Sequence, residues 1–201
     1  MFPTTVWDVV RAAGAQEPEA LQQLALEYRP PVLAFIRSRG VETNQAEDLC
    51  QDVFVRLLAG GVLAKADSAK GRFRSLLCTV TVRVIQDWSR RRREMVALQS
   101  EPAVPEPDFD RVWALHLTER ALVRLRRENE RYYQVLRRHL GGERTERNKL
   151  WIARRKLVGM IRREIALTCR SSAETAEEIA HLSRYLRPAY KKMRPPGSSG
   201  E

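Results

Sequence analysis

Apolar residues recur every three or four positions along most of this 201-residue chain, and no stretch alternates apolar with polar residues as a half-buried strand does. That periodicity predicts an all-α fold. Leu21, Leu24, Tyr28, Val32, Phe35 and Ile36 predict a helix over 17–39, stopped by Gly40 and kinked where Pro30 and Pro31 remove backbone donors. Ala46, Leu49, Val53, Phe54 and Leu57 predict a second over 43–58, with Thr43 as its cap and Gly60-Gly61 beyond its end. Phe73, Leu76, Leu77, Val80, Val84 and Trp88 predict a third, ending in Arg90–Arg93. Trp113, Leu117, Leu122, Leu125, Tyr132, Val135 and Leu136 then predict one long helix closed by Gly141 and Gly142. Leu150, Leu157, Ile161 and Ile165 predict another over 144–167, and a last helix is expected from a cap near Ser172 to about Tyr185.

Between the third and fourth helices, residues 98–110 hold three prolines and four acidic residues with no helical period, which predicts an extended acidic linker. The expected organisation is therefore two small helical modules, 1–97 and 111–187, joined by that linker and followed by a disordered tail at 188–201.

Charge is distributed unevenly along the chain. Lys and Arg number 36 against 25 Asp and Glu, a formal charge of +11, and residues 111–170 alone hold 17 basic and 6 acidic residues, a surplus of 11. The rest of the chain is neutral. So concentrated a surplus predicts a polyanion partner, because each phosphate contact releases condensed counterions; a merely solvated basic face is the plainer alternative.

Several function classes find no support. The longest apolar runs are too short to span a bilayer, so no membrane role is expected. The opening MFPTTVWDVVRAAG lacks a basic start and an apolar core, so a cytoplasmic location is expected. Cys50, Cys78 and Cys169 are far apart, which fits reduced core thiols rather than a disulfide framework or zinc site. His116, His139 and His181 lack metal-ligand spacing, and the adjacent Glu47 and Asp48 point to different helix faces. No catalytic residue, metal or cofactor is expected.

The second predicted helix sets Glu47, Asp48, Gln51 and Asp52 opposite its apolar stripe. In a basic protein, an acidic and amide-bearing face beside the aromatic Phe54 suits a basic partner surface, with charge steering and an apolar anchor. The third helix ends in four consecutive arginines. They complement the helix dipole, but they circle the helix and so also suit a passing nucleic-acid backbone.

Taken together, AEDLCQDVFVRLL (46–58) and KGRFRSLLCTVTVRVIQDWSRRRR (70–93) resemble bacterial RNA polymerase sigma factors of the small extracytoplasmic-function type. The first stretch is similar to the helix that grips the largest polymerase subunit, and the resemblance implies polymerase-binding roles for Asp48, Gln51, Asp52 and Phe54. The second is similar to the helix that recognises and opens the promoter minus-ten element, which implies DNA contacts for Phe73, Arg74, Asp87, Arg90 and Arg91, with Arg92 and Arg93 in the same run. Two positions depart from the family pattern: Leu76-Leu77 replaces a Trp-Leu pair and Arg83 replaces an Asn. Trp88, with Arg83 and Arg90, is a candidate surface for stacking unpaired bases, or else a core residue. The loop 59–72 lies where related factors capture a flipped base.

The opening TTVWDVVRAAG resembles an N-terminal extension found in a subgroup of these factors. The family's C-terminal helix-turn-helix is matched poorly. HLGGERTERNKLWIARRKLVGMIRREIA runs almost directly from one helix into the next, leaving no room for the bracing helix that fixes base-reading geometry. Beside Arg162 and Arg163 on this basic helix, Arg147, Lys149, Arg154 and Arg155 are therefore expected to hold DNA phosphates without reading sequence. The resemblance implies core RNA polymerase and promoter DNA as partners, a linker threading toward the catalytic cleft, and control by an anti-sigma or other regulatory protein. The alternative is a degenerate relative that binds polymerase or a regulator without specific promoter recognition.

Overall fold

The computed structural model describes residues 6–59, 62–63, 72–95 and 107–190. Among these residues the chain forms eight helices and no strand: α1 (Val6–Gly14), α2 (Pro18–Ser38), α3 (Thr43–Ala59), α4 (Phe73–Met95), α5 (Pro107–Glu128), α6 (Glu130–Leu140), α7 (Arg147–Leu167) and α8 (Ser172–Tyr190). No helix among the described residues is long and apolar enough to cross a membrane. The helices divide into two compact units, one built from α1 to α4 with the start of α5 and Thr168–Arg170, the other from the remainder of α5 with α6, α7 and α8.

In the first unit α1 packs on α2, α2 on α3 and α3 on α4. The spacing Leu24, Tyr28, Val32, Phe35, Ile36 places one fully apolar stripe of α2 in the core, and all five residues are buried. Pro30 and Pro31 lie inside α2, which runs through them from Pro18 to Ser38. Arg39 caps the helix, and Gly40 follows at φ 76°, a left-handed conformation that glycine adopts without steric cost.

Three aromatic contacts shape the interior of this unit. Phe73, at the start of α4, meets Tyr28 edge-on at 4.9 Å and Trp7 of α1 at 6.2 Å. Phe35 meets Phe109 of α5 at 5.0 Å, also edge-on. Phe109 lies within the stretch read as linker. Residues 107–110 instead form the first turn of α5, and burial of the Phe109 ring explains why a proline-containing stretch becomes helical: Pro107 occupies the opening of the helix, where its missing N–H has no intrahelical partner to lose. Residues 98–106 of the expected linker, and 191–201 of the expected tail, lie outside the described residues; Pro188 to Tyr190 of that tail belong to α8.

The second unit corrects one expected element. The single helix predicted to reach Gly141 is two helices, broken at Asn129 with φ −150° and ψ 65°. Asparagine tolerates non-helical backbone, and here its carbonyl accepts the N–H groups of Tyr132 and Tyr133 at 3.0 and 3.1 Å, restarting a helix that then packs on α7. Leu117, Leu125, Ile161, Ile165 and Leu182 are buried in its core. Glu164 of α7 is 2% exposed and accepts hydrogen bonds from the Nε atoms of Arg120 (2.8 Å) and Arg124 (2.7 Å), so a buried carboxylate is matched by two cations one helical turn apart. At α8, Ser171 Oγ accepts the Glu174 backbone N–H at 3.2 Å, which places the cap one residue before the expected Ser172.

Candidate functional site

α3 is positioned by its apolar stripe, Ala46, Leu49, Val53 and Leu57, all of it buried. Helical spacing then sends Asp48, Gln51 and Asp52 outward, and all three are exposed. Asp48 and Asp52, one turn apart, form no ion pair among the described residues. Phe54 is half-buried. Val55, which the sequence reading passed over, is 52% exposed and lies three residues from Asp52 and four from Gln51, on the same face. Its signal was present in the sequence as an apolar residue lying off the stripe.

Glu47 differs from its neighbours. Its two carboxylate oxygens accept from Arg29 and from Arg37, the latter at 3.1 Å, so it fastens α3 to α2. Beside it the Cys50 thiol is buried, and that burial pushes its pKa up to about 11 despite nearby Arg29.

α4 separates its candidate residues into two groups. Arg83, Asp87, Arg90 and Arg91 recur at helical intervals along one face; the three arginines are exposed and Asp87 is partly so. Asp87 accepts from Arg56 of α3 at 2.7 Å and from Arg90 at 3.1 Å, while Arg91 Nε donates to the Asp87 carbonyl at 3.3 Å. The Arg56 hydrogen bond holds the Asp87 carboxyl below its ordinary value. Asp87 therefore orders the arginine end of α4 and links it to α3. Trp88 is half-buried, with the Arg92 guanidinium 5.3 Å from its ring centre. The side chain of Arg93, and residues 60–61 and 64–71 of the loop 59–72, lie outside the described residues.

Phe73 and Arg74 lie inward. Phe73 is 1% exposed between Tyr28 and Trp7, a ring of the core. Arg74 is 9% exposed and ion-paired with Asp110, which is itself mostly buried. The physical reason is position. Phe73 opens the same apolar stripe as Leu77, Val80 and Val84, and Arg74 is drawn in by a carboxylate far along the chain.

On α7, Arg147 and Arg155 are exposed, whereas Lys149 and Arg154 are half-buried. Lys149 pairs with Glu146, Arg154 donates to His139 Nε2 at 3.0 Å, and the Arg155 guanidinium lies 5.0 Å from the Trp151 ring centre. The four do not form one patch: Arg147 and Arg154 share a flank, and Lys149 lies on another. No group of three His, Cys, Asp or Glu residues among the described residues is arranged to hold a metal ion.

No curated protein and no solved structure matches the chain. Residues 24–95, which span most of α2 and all of α3 and α4, match the family model for Sigma-70 region 2. This stretch of the chain is therefore similar to Sigma-70 region 2.

Proposed function

We propose that this protein is a sigma factor of the small extracytoplasmic-function type, directing core RNA polymerase to promoters. The observation that carries the reading is a division of charge between adjacent helices within the matched segment. α3 presents Asp48, Gln51 and Asp52 around the apolar Val55, with Phe54 beside them, and α4 presents Arg83, Arg90, Arg91 and Arg92. The acidic face binds core polymerase by charge steering about an apolar anchor, and the basic face engages promoter DNA.

Opening of the duplex requires a surface that holds unpaired strand more tightly than paired, and aromatic stacking contributes about 1–3 kcal/mol per base. The half-buried Trp88, flanked by Arg92, is the aromatic that α4 offers for this. The Arg56–Asp87 pair couples polymerase docking to the DNA-contacting end of α4, because it holds both helices in one arrangement. The reading includes no catalytic step, and a protein regulator of the anti-sigma kind would act by covering the α3 face.

One observation favours a second reading, a relative that binds polymerase without specific promoter recognition. Only residues 141–146 separate α6 from α7, so no bracing helix stands between them. Reconstituted transcription decides between the two. A holoenzyme carrying this protein that initiates at defined positions supports the first reading, and one that assembles but yields no promoter-dependent transcript supports the second.

A further inference from the structure

Two exposed helix faces carry opposite charge that their own surroundings leave largely uncompensated. On α3, Asp48 and Asp52 form no ion pair among the described residues. Val55 shares their face, three residues beyond Asp52 and seven beyond Asp48, and is 52% exposed, an apolar knob on an acidic ridge.

On α7, Gly159 sits mid-helix although glycine is among the poorest helix formers. It is exposed, its φ is not left-handed, and a Cβ built on it meets no atom within 4 Å. Its neighbours on the helix surface, at i−4, i−3, i+3 and i+4, are Arg155, Lys156, Arg162 and Arg163. Arg155 lies against Trp151 at 5.0 Å and Lys156 against Tyr132 at 5.3 Å, which orders both. Arg163 faces Glu128 at 3.4 Å with both side chains largely exposed, and Arg162 has no acidic partner among the described residues. Four cations therefore stand around a floor without a side chain.

We infer that the α3 face of one copy seats on the α7 face of a second copy, head to tail, with Val55 over Gly159 and Asp48, Gln51 and Asp52 against the surrounding cations. Charge and shape both favour a second copy as the occupant. The acidic ridge from Asp48 to Val55 rises about 10.5 Å and the basic frame from Arg155 to Arg163 about 12 Å, so the two match in length. A projecting valine fills the hole that a missing side chain leaves, as a knob does in helix packing, and no like charges are brought together. Such a contact is heterologous: each copy keeps one face free, and the assembly grows with concentration. Two helices meeting over this length bury less than a standard interface, so the contact is weak, and salt screens it. Its consequence rests on the reading above. The occupied α3 face is the one assigned to polymerase docking, so self-association withholds the protein until polymerase displaces the neighbouring copy.

The test is sedimentation velocity of the full-length protein over a hundredfold range of concentration, in about 0.05 M and about 0.5 M salt, with thermal melting of each variant. The parent is expected to sediment faster as its concentration rises in low salt and as a monomer in high salt. Asp48→Arg with Asp52→Arg, and separately Arg155→Glu with Arg162→Glu, are each expected to stay monomeric while melting like the parent, since all four side chains are exposed. An equimolar mixture of these two variants is expected to associate again, because each supplies the charge the other lacks; a variant that had merely lost its fold would not be rescued. Gly159→Lys separates shape from charge. It adds a cation but closes the floor, so it is expected to weaken association several-fold without lowering the melting temperature. A parent that is monomeric at every concentration in low salt, a reversed variant that still associates, a mixture that stays monomeric, or tighter association of Gly159→Lys would each overturn the inference. Co-migration of the parent with core polymerase is scored separately: its failure sinks the proposed function and leaves the contact between copies standing, whereas co-migration of a parent that never self-associates sinks that contact alone.

Discussion

Arg74 and Asp110 form an ion pair in which both side chains are largely withdrawn from water, joining α4 to the first turn of α5 within one compact unit. Removing one partner of such a pair leaves a buried charge uncompensated, at a cost of about 3–5 kcal/mol. Asp110→Ala is therefore expected to lower unfolding stability by roughly 3 kcal/mol in denaturant titrations. A loss below about 0.5 kcal/mol would show that Arg74 reaches solvent instead.

The Arg56–Asp87 pair predicts a pH dependence. Asp87 titrates below its ordinary value of 3.8 in the folded chain, chiefly because Arg56 donates to it, so the folded state favours the carboxylate. The stability this provides is present above 3.8 and is lost as the pH falls through the lower folded value. Replacing Asp87 with Asn should flatten the acid limb of the melting-temperature profile relative to the parent. Superimposable acid limbs would mean that the pair contributes nothing to folding.

Cys50 is expected to resist alkylation. Its thiol is buried with a pKa near 11, so at neutral pH it is both inaccessible and almost wholly protonated. Iodoacetamide followed by peptide mass spectrometry should label the partly exposed Cys78 first and Cys50 only on unfolding. Equal native-state labelling of the two would contradict the packing of α3 against α2.

The arginine end of α4 predicts a salt effect. With Arg90, Arg91 and Arg92 changed to Ala, DNA binding by the holoenzyme should weaken and its log–log salt slope should fall by up to about 2.7, or roughly 0.9 for each phosphate no longer neutralised. Assembly with polymerase should be unaffected. A preserved slope would mean that these residues face solvent only.

Most helices could be read in the sequence because their apolar period is strong, and α3 shows this best: Ala46, Leu49, Val53 and Leu57 fix its buried side, which in turn sends Asp48 and Asp52 outward. The break at Asn129 was hidden because no Gly or Pro marks it and apolar residues continue on both sides. The burial of Arg74 was hidden because its partner, Asp110, is distant in sequence and lay in a stretch read as linker. Phe73 carried two signals, the family position and the apolar stripe, and the stripe decides its burial.

The central claim is that the exposed acidic face of α3 docks onto core RNA polymerase, and the most direct test is co-migration of the two on gel filtration with Asp48 and Asp52 both replaced by Arg. These side chains are exposed and pair with no described residue, so the variant should melt like the parent yet fail to co-migrate. A folded double variant that still travels with polymerase would contradict the account.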